Sequence, residues 1–369
     1  MPSAATPAEP LRILHVCLSR GFAGTERSTT ETCNAHVGEH PVCLVVRRDH
    51  RGRSGASIVD FLDPRVKVVE VGRWFAARGL ARAIRDFRPD VVHAHLRRGT
   101  RLVARLAPPA ATVATLHLWV NGPQFLAMDG LILIAAWQRR DLGSYRGRIY
   151  EIANSLVPHR RLTPAEIQAL RAELGAAPGE FLIGGVGRLA RSKGFDTLVR
   201  AFLAAGSGAR LAIIGEGRER RPLERLAGGR VQFSGFRANA KDYYQAFDLF
   251  ICPSRSEPMG RVILEALDAG TPVLATAANG PAEILARYPG VLVPVDDAPA
   301  MAAELKRLVA ERPARLRPDL GPHAVERVAA EILAAYRELI AARASRLLEP
   351  AVEGQQTPGF RKRRRDRPA

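Results

Sequence analysis

The chain has 369 residues, which is enough for two ordinary domains, and its 47% hydrophobic content excludes a globally disordered protein. Its net charge of +18 points to an acidic partner. We do not expect that partner to be nucleic acid, because aromatic residues make up only 6% of the chain and no nucleic-acid-binding motif is present.

The N-terminus and the cysteines bear on where the protein works. Residues 1–10 contain neither a basic segment nor an apolar core, so they do not predict a secretion signal, and no run of about 18 apolar residues predicts a membrane span. The four cysteines lie among apolar residues without metal-ligand spacing, which favours reduced, buried thiols. We therefore expect a cytoplasmic protein.

Residues 11–158 predict a first α/β domain, preceded by a disordered N-terminus over residues 1–10. Apolar segments that predict strands alternate with amphipathic segments that predict helices. This alternation favours a doubly wound, Rossmann-like domain with a parallel sheet and helices on both faces. The predicted strands cover residues 13–18, 42–46, 66–71, 91–95, 112–117, 131–135 and 148–154.

Residues 159–180 predict a linker with one helix, which a capping-box sequence begins. A second series of strands and helices follows over residues 181–321 and predicts a second Rossmann-like domain. We expect a long final helix over residues 322–346. Residues 347–369 turn polar and then basic without periodicity, which predicts a disordered tail.

A glycine-rich turn follows the first strand of the second domain. Residues 184–189 read G-G-V-G-R-L, and Lys193 with Gly194 opens the next helix. Glycine lets the backbone approach an anion, and a helix start supplies free N–H groups. Arg188 and Lys193 add a forked donor and a point charge, so the turn predicts a site for two phosphates. The alternative is a surface turn with two solvated cations.

A second motif lies within residues 254–276. A helix is predicted to begin at Pro258, directly after Glu257. Glu257 and Glu265 are about two helical turns apart, so both carboxylates can lie along one ligand. Periodicity alone leaves an alternative, because Arg261, Glu265 and a carboxylate three residues later have the spacing of a solvated stripe with a local ion pair.

Together these motifs resemble the retaining nucleotide-sugar glycosyltransferases of the E-x7-E type (glycosyltransferase family 4, or group 1). The sequences E-P-x-G, E-A and G-x-P-V within residues 254–276 match the E-x7-E segment of that family, and G-R-L-x-x-x-K-G lies at the expected distance upstream. The resemblance implies the GT-B fold, in which two Rossmann-like domains face a central cleft. It also implies that the final helix crosses back to the first domain.

The resemblance implies roles for individual residues. Arg188 and Lys193 match the residues that bind the diphosphate. Glu257 matches the glutamate that holds the hydroxyls of the donor sugar, and Glu265 the one that binds the ribose diol. His117 matches a histidine that contacts the donor sugar from the first domain, although it is alternatively an ordinary buried histidine. We expect Arg188, Lys193, Glu257 and His117 to be the catalytic residues.

Further residues are expected to surround the donor through loops and backbone N–H groups. They are Gly24, Gly215, Gly235, Phe236, Met259, Gly260 and Arg261. Gly24 belongs to residues 23–26, which resemble the family's G-G-x-E loop with Ala23 in place of the first glycine. For Phe236 a place in the core is the alternative to contact with the base.

No metal or other cofactor is expected. His93 and His95 point to one side of a strand, but no third ligand lies nearby in the sequence, and the resemblance implies such a pair at this position. No D-x-D segment stands where a metal-bridging transferase needs one. The diphosphate already has Arg188, Lys193 and helix N–H groups to meet its charge, so we expect no need for Mg2+.

The resulting prediction is a retaining glycosyltransferase that moves a sugar from a nucleoside diphosphate sugar to a hydroxyl of a glycan or lipid-linked acceptor. A UDP-sugar is the first expected donor, and envelope polysaccharide or lipopolysaccharide synthesis the expected setting. Three alternatives stay open: a GT-B-fold sugar-nucleotide epimerase, a non-catalytic nucleotide-sugar-binding protein and a nucleic-acid-binding protein.

The excess of positive charge is concentrated on the acceptor side. Residues 1–160 hold 23 lysines and arginines against 13 acidic residues, and the arginines cluster over residues 78–88 and 97–105. Cations near an anionic leaflet contribute about 1 kcal/mol each to membrane binding. Our hypothesis is a peripheral enzyme at the inner face of the cytoplasmic membrane, and the alternative is an arginine-rich composition without a membrane role.

Overall fold

The computed structural model describes residues 9–52, 55–120 and 122–348. The disorder predicted for residues 1–8 and 349–369 lies outside the described residues. Strands and helices alternate through two α/β domains, each built on a parallel sheet.

Among its described residues, the first domain has seven strands and three α-helices. They are β1 (Ile13–Cys17), α1 (Gly24–His36), β2 (Val42–Arg47), β3 (Lys67–Val71), α2 (Ala76–Phe87), β4 (Val91–His95), α3 (Leu96–Leu106), β5 (Ala111–Leu116), β6 (Gly130–Leu133) and β7 (Arg148–Glu151). The strand order is β3-β2-β1-β4-β5-β6-β7, and every neighbouring pair is parallel. Central strands such as β1 and β4 are buried along their whole length because helices cover both faces, so their three histidines are buried together with the apolar residues.

The second domain follows the linker helix α4 (Pro164–Glu173). Its elements are β8 (Leu182–Val186), α5 (Phe195–Ala205), β9 (Arg210–Ile214), α6 (Arg220–Ala227), β10 (Gln232–Gly235), β11 (Leu249–Cys252), α7 (Arg261–Asp268), β12 (Val273–Thr276), α8 (Asn279–Leu285), β13 (Val291–Val293) and α9 (Ala298–Glu311). The strand order is β10-β9-β8-β11-β12-β13. Strands β9 and β10 are added on one side of β8, and the chain then returns to add β11 on the other side, as the first sheet does at β1 and β4. In such sheets ligands bind beyond the carboxyl ends of the strands at this reversal.

The last helix, α10 (Val325–Leu348), packs on the first domain although it follows the second in sequence. Ile332, Tyr336 and Leu339 lie in one apolar cluster with Ile13 and Val91 of the first sheet. None of the helices that the structure describes combines the length and the apolar character that crossing a bilayer requires. All four cysteines are free and buried, as the sequence predicts.

Two predicted helix bounds are corrected. The helix predicted to begin at Pro258 begins at Arg261, because Gly260 has a φ of 95° and this left-handed conformation interrupts the helical path. The final helix, predicted over residues 322–346, begins at Val325 after a 3-10 turn over Gly321–His323 and continues to Leu348, so residues 347 and 348 belong to this helix and not to the tail.

Candidate active site

The carboxyl ends of β8, β9 and β10 form a platform of closely packed backbone. Gly215 donates its backbone N–H to the carbonyl of Gly235 over 2.8 Å, and Gly187 donates to Ile214 over 3.0 Å. A Cβ at Gly215, where φ is 145°, would overlap the carbonyl oxygen of Gly187. The close approach of two turns therefore requires glycine at 215, and Gly235 lies at the same edge with a φ of 72°.

The two predicted diphosphate ligands have different surroundings beside this platform. Lys193, in a 3-10 turn after β8, forms an ion pair with Glu257. Arg188 is exposed, and its guanidinium has no hydrogen-bond partner among residues 9–52, 55–120 and 122–348. The structure thus brings Lys193 and Glu257 together from 64 residues apart, and it leaves Arg188 available at the same turn.

The solvated-stripe interpretation of α7 is wrong. Arg261 is 9% exposed and Glu265 6% exposed. Arg261 donates to both carboxylate oxygens of Glu31 in α1, over 2.6 and 2.9 Å. Glu265 accepts a hydrogen bond of 3.0 Å from Arg27, which lies one turn before Glu31. The sequence spacing was compatible with solvent exposure of this face of α7, but in the structure the face packs against the first domain.

Burial and Glu31 act in opposite directions on Arg261. Burial lowers the pKa of the guanidinium, but the hydrogen bonds and charge of Glu31 outweigh it and hold that pKa above its ordinary value. Glu31 also accepts a 2.6 Å hydrogen bond from the hydroxyl of Ser155, which lies in the segment between β7 and α4 that leads to the second domain. The Arg261–Glu31 pair is consequently a charged, buried contact between the domains, of the kind that is costly to break from one side.

The turn before α7 carries the remaining predicted donor ligands of the second domain. Met259 is buried, and its backbone lies so close to Gly280 that a Cβ there would collide with it. The sulfur of Met259 accepts the backbone N–H of Asn154 over 3.4 Å.

Phe236, which follows β10, is 46% exposed, so the alternative that placed it in the core is wrong.

Gly24 is the first residue of α1 and is exposed at the end of the loop after β1. A Cβ at Gly24 would meet no atom within 4 Å, and the preceding Ala23 is extended and exposed. Glu26 accepts the backbone N–H of Ala23 over 3.0 Å and so closes the first turn of the helix. No contact within the described chain therefore demands glycine in this loop.

His117 directly follows β5 and is the end of a chain of buried imidazoles. Its Nε2 lies 3.0 Å from Nδ1 of His95, and Nε2 of His95 lies 3.0 Å from Nδ1 of His15. Burial lowers the pKa of His15 and of His117 to about 3, with the charge of His36 adding to the effect at His15. Burial also holds the pKa of His95 well below its ordinary value, so all three rings are neutral near pH 7.

The expectation that His93 and His95 lack a third partner is corrected by the fold. Strand pairing places His15 beside His93, and nitrogens of His15, His93 and His95 lie within 4.8 Å of one another. Both nitrogens of His93 are nevertheless occupied, at 2.6 Å from the hydroxyl of Tyr336 and 2.7 Å from that of Thr115. His93 and His95 also stack with ring centres 4.2 Å apart. This donor set fits a hydrogen-bonded cluster better than a metal centre.

Several residues of the cleft were not found from the sequence. Arg27 and Glu31 lie in α1, and the residues of α7 that they contact are more than 200 positions later in the sequence. Backbone N–H groups of residues 136 and 137 donate to Glu283, and the indole of Trp137 donates to the carbonyl of Pro258 over 2.7 Å. Only His15 had a local signal, as a polar residue in an otherwise apolar strand.

The comparisons with known proteins agree with this architecture. Residues 180–311 match the family described as glycosyl transferases group 1. The lipopolysaccharide core biosynthesis glycosyltransferase LpsD of Rhizobium meliloti is 31% identical over 268 residues, covering 69% of this chain and 74% of LpsD. LpsE of the same organism, also a lipopolysaccharide core biosynthesis glycosyltransferase, is 35% identical over 153 residues, 40% of this chain and 45% of LpsE.

Solved structures share the paired sheets over most of the chain. The Anabaena protein Alr3699/HepE, solved in complex with UDP-glucose, superimposes with a TM-score of 0.72 at 19% identity and covers 90% of this chain and 99% of its own. Because LpsD is 31% identical over more than two thirds of both chains and the superposition covers 90% of this chain, this chain belongs to the group 1 glycosyltransferases and has the GT-B fold.

Proposed function

We propose that the protein moves a sugar from a nucleoside diphosphate sugar to a hydroxyl of a glycan or lipid-linked acceptor, with retention at the anomeric carbon. The observation that carries the proposal is the cluster at the carboxyl end of β8. There Lys193 and Glu257 are paired, Arg188 is exposed, and Gly187 and Gly215 form closely packed turns after β8 and β9. This cluster combines groups for a diphosphate with a carboxylate for sugar hydroxyls.

The proposed reaction needs no covalent attachment to the protein. The bond between the anomeric carbon and the phosphate oxygen breaks, and the diphosphate leaves with the electron pair. The acceptor oxygen bonds to the same face of the carbon, and its proton passes to the leaving phosphate. Arg188 and Lys193 stabilise the charge that develops on the diphosphate, and Glu257 orients the sugar.

The names of related proteins support a donor and a setting. The two rhizobial relatives are named for lipopolysaccharide core biosynthesis, and the Anabaena structure contains UDP-glucose. We therefore propose a UDP-sugar as the first donor to test and envelope polysaccharide or lipopolysaccharide synthesis as the setting.

We propose that the reaction proceeds without a metal. Cationic side chains at the glycine turn are available for the charge that Mg2+ neutralises in other transferases. Activity should persist in EDTA. Complete loss on chelation, with recovery on adding Mg2+ or Mn2+, would contradict this proposal.

A thermal-shift screen over nucleotide sugars is the first experiment. A ligand at 100 times its Kd adds about 2.7 kcal/mol to stability, which is readily detected. The stabilising donor is then incubated with and without acceptor glycans, and the anomeric configuration of the product is read by NMR. Conversion of the donor alone would indicate an epimerase, binding without turnover a non-catalytic protein, and an inverted product a different mechanism.

We further propose that the first domain binds the inner face of the cytoplasmic membrane. Trp74 is 84% and Phe75 65% exposed at the start of α2. Exposed arginines continue along the same helix and α3: Arg78, Arg82, Arg85, Arg88, Arg97, Arg101 and Arg105. Aromatic side chains that enter the interface beside cations are typical of peripheral binding to anionic lipid.

Co-sedimentation with vesicles tests this surface. The protein should bind anionic vesicles at low salt and release near ~0.5 M NaCl, where screening is strong. Replacing Trp74 and Phe75 by serine should weaken binding about tenfold or more, from the lost apolar burial. Leu316→Ser, at an exposed leucine of the second domain, is the matched control. Equal binding to neutral and anionic vesicles, or none to either, would indicate a soluble acceptor.

A further inference from the structure

We propose that His15 and His95 are positioning residues that fix the tautomer of His117, so that His117 offers an N–H donor to the substrate. In this arrangement all three rings carry their proton on Nδ1. His15 donates to His95, His95 donates to His117, and the Nδ1–H of His117 remains for an oxygen of the donor. The last step rests on the proposed function, whereas the order of protons within the chain does not.

The geometry couples the three rings into one unit. Each contact joins Nδ1 of one ring to Nε2 of the next at 3.0 Å, from His15 through His95 to His117. A neutral imidazole has one donor nitrogen and one acceptor nitrogen. Fixing the proton on any ring therefore fixes it on the other two, and only two arrangements are possible: all protons on Nδ1 or all on Nε2.

The buried end of the chain selects between these arrangements. Nε2 of His15 is fully buried without a hydrogen-bond partner among the described residues. With protons on Nε2, this end would be an N–H group without an acceptor, and orphaned buried N–H groups are rare in proteins. With protons on Nδ1, it is a bare lone pair. The arrangement with all protons on Nδ1 is therefore favoured. The lowered pKa values of the three rings show separately that each imidazole is neutral.

The other end of the chain lies between two contacts of the domains. In the first sheet β4 and β5 are flanked by β1 and β6. The helix that follows β1 contacts α7 through Arg27, and the turn that follows β6 contacts the second domain through Trp137. The carboxyl end of β5, which His117 follows, is thus between these contacts, at the edge that faces the cleft. No hydrogen bond from its Nδ1 is formed within the described chain.

Spectroscopy on the ligand-free full chain tests the proton order directly. In protein labelled with 15N-histidine, long-range proton–nitrogen correlations identify which ring nitrogen carries the proton. His15, His95 and His117 should all show the Nδ1–H pattern. An Nε2–H pattern, an imidazolium, or stoichiometric zinc bound to the purified protein would overturn the proposal.

Two substitutions at His15 separate positioning from packing. His15→Asn keeps an amide N–H close to the place of Nδ1, whereas His15→Leu removes the donor. In His15→Leu, His117 should lose its pure Nδ1–H pattern, and kcat/KM should fall about 3- to 10-fold, as expected for one neutral hydrogen bond. His15→Asn should restore the pattern and most of the activity. Equal activities of the two variants at equal thermal stability would overturn the proposal.

The readouts also separate this inference from the proposed function. Kinetics use UDP-glucose or the nucleotide sugar that the thermal screen identifies. If the parent is active but the Nδ1–H resonance of His117 does not move on adding the donor, the role of the chain is refuted and the function stands. If no sugar is transferred, the function fails, and the spectrum still decides the proton order. If His15→Leu does not fold, the parent spectrum and His15→Asn decide.

Discussion

The buried histidines predict that the first domain loses stability in mild acid. His15 and His117 have pKa values near 3 in the folded chain, against an ordinary value of 6.5. Below pH 6.5 the unfolded chain takes up protons that the folded chain excludes. Stability contributed by these groups is therefore complete above 6.5 and is lost as the pH falls towards 3.

The size of the effect follows from proton linkage. Between pH 6.5 and 4.5 a single histidine of this kind removes about 2 kcal/mol from the free energy of unfolding, and His15 with His117 about twice that. His93 and His95, whose pKa values burial also holds well below the ordinary value, add to the loss. Since whole domains are stable by only about 5–15 kcal/mol, we expect the first domain to unfold near pH 4.5.

Urea titrations at several pH values measure this loss. All three tryptophans lie in the first domain, at positions 74, 119 and 137, so intrinsic fluorescence reports on the domain that contains the histidines. His15→Asn removes one titrating group and should reduce the loss between pH 6.5 and 4.5 by about 2 kcal/mol. Carboxylates titrate equally in parent and variant and cancel in the difference. A parent and a variant with the same pH dependence would refute the reasoning.

Three substitutions in the cleft have distinct expected outcomes. Glu257→Gln should lower turnover with little change in nucleotide affinity, and unchanged turnover with the true donor would remove Glu257 from the site. Glu265→Ala should weaken binding of the free nucleotide about 10- to 100-fold by calorimetry, as for hydrogen bonds to a charged group, while Arg27→Ala should not; equal affinity in all three proteins would contradict a ribose contact. Glu31→Gln should lower the free energy of unfolding by about 3–5 kcal/mol, because it leaves Arg261 buried without its charged partner. Chemical denaturation that shows no difference from the parent would exclude a structural role for the pair.

The sequence was sufficient for the two sheets and for the motifs of the second domain because their signals are local. The turn with Arg188 and Lys193 lies within a few residues of one strand, and Glu257 and Glu265 belong to the same short segment of the sequence. The family resemblance then supplied roles that no periodicity contains. Whether those residues hold a donor stays a prediction that the experiments above address.

Contacts between the domains could not be predicted in the same way. Arg261 and Glu265 had the spacing of a surface stripe, and only the fold shows that α1 covers them. The start of α7 was misplaced because proline at a first helical turn is a stronger local signal than a left-handed glycine two residues later. The histidine chain joins β1, β4 and the end of β5, so it exists only once strand order and register are fixed.

Helix α1 connects donor binding to the contact between the domains. It begins at Gly24 and carries Arg27 and Glu31 one turn apart, both directed at α7. If Glu265 binds the ribose diol, as proposed, the diol competes with Arg27 for that carboxylate. The two hydrogen bonds of Arg261 go to a different carboxylate, that of Glu31, although its Nε also lies 4.0 Å from Glu265. We therefore expect donor binding to exchange the Arg27–Glu265 ion pair for hydrogen bonds to the ribose and to keep the Arg261–Glu31 pair. The Arg261–Glu31 contact would then hold α1 against α7 while the ribose replaces Arg27 at Glu265.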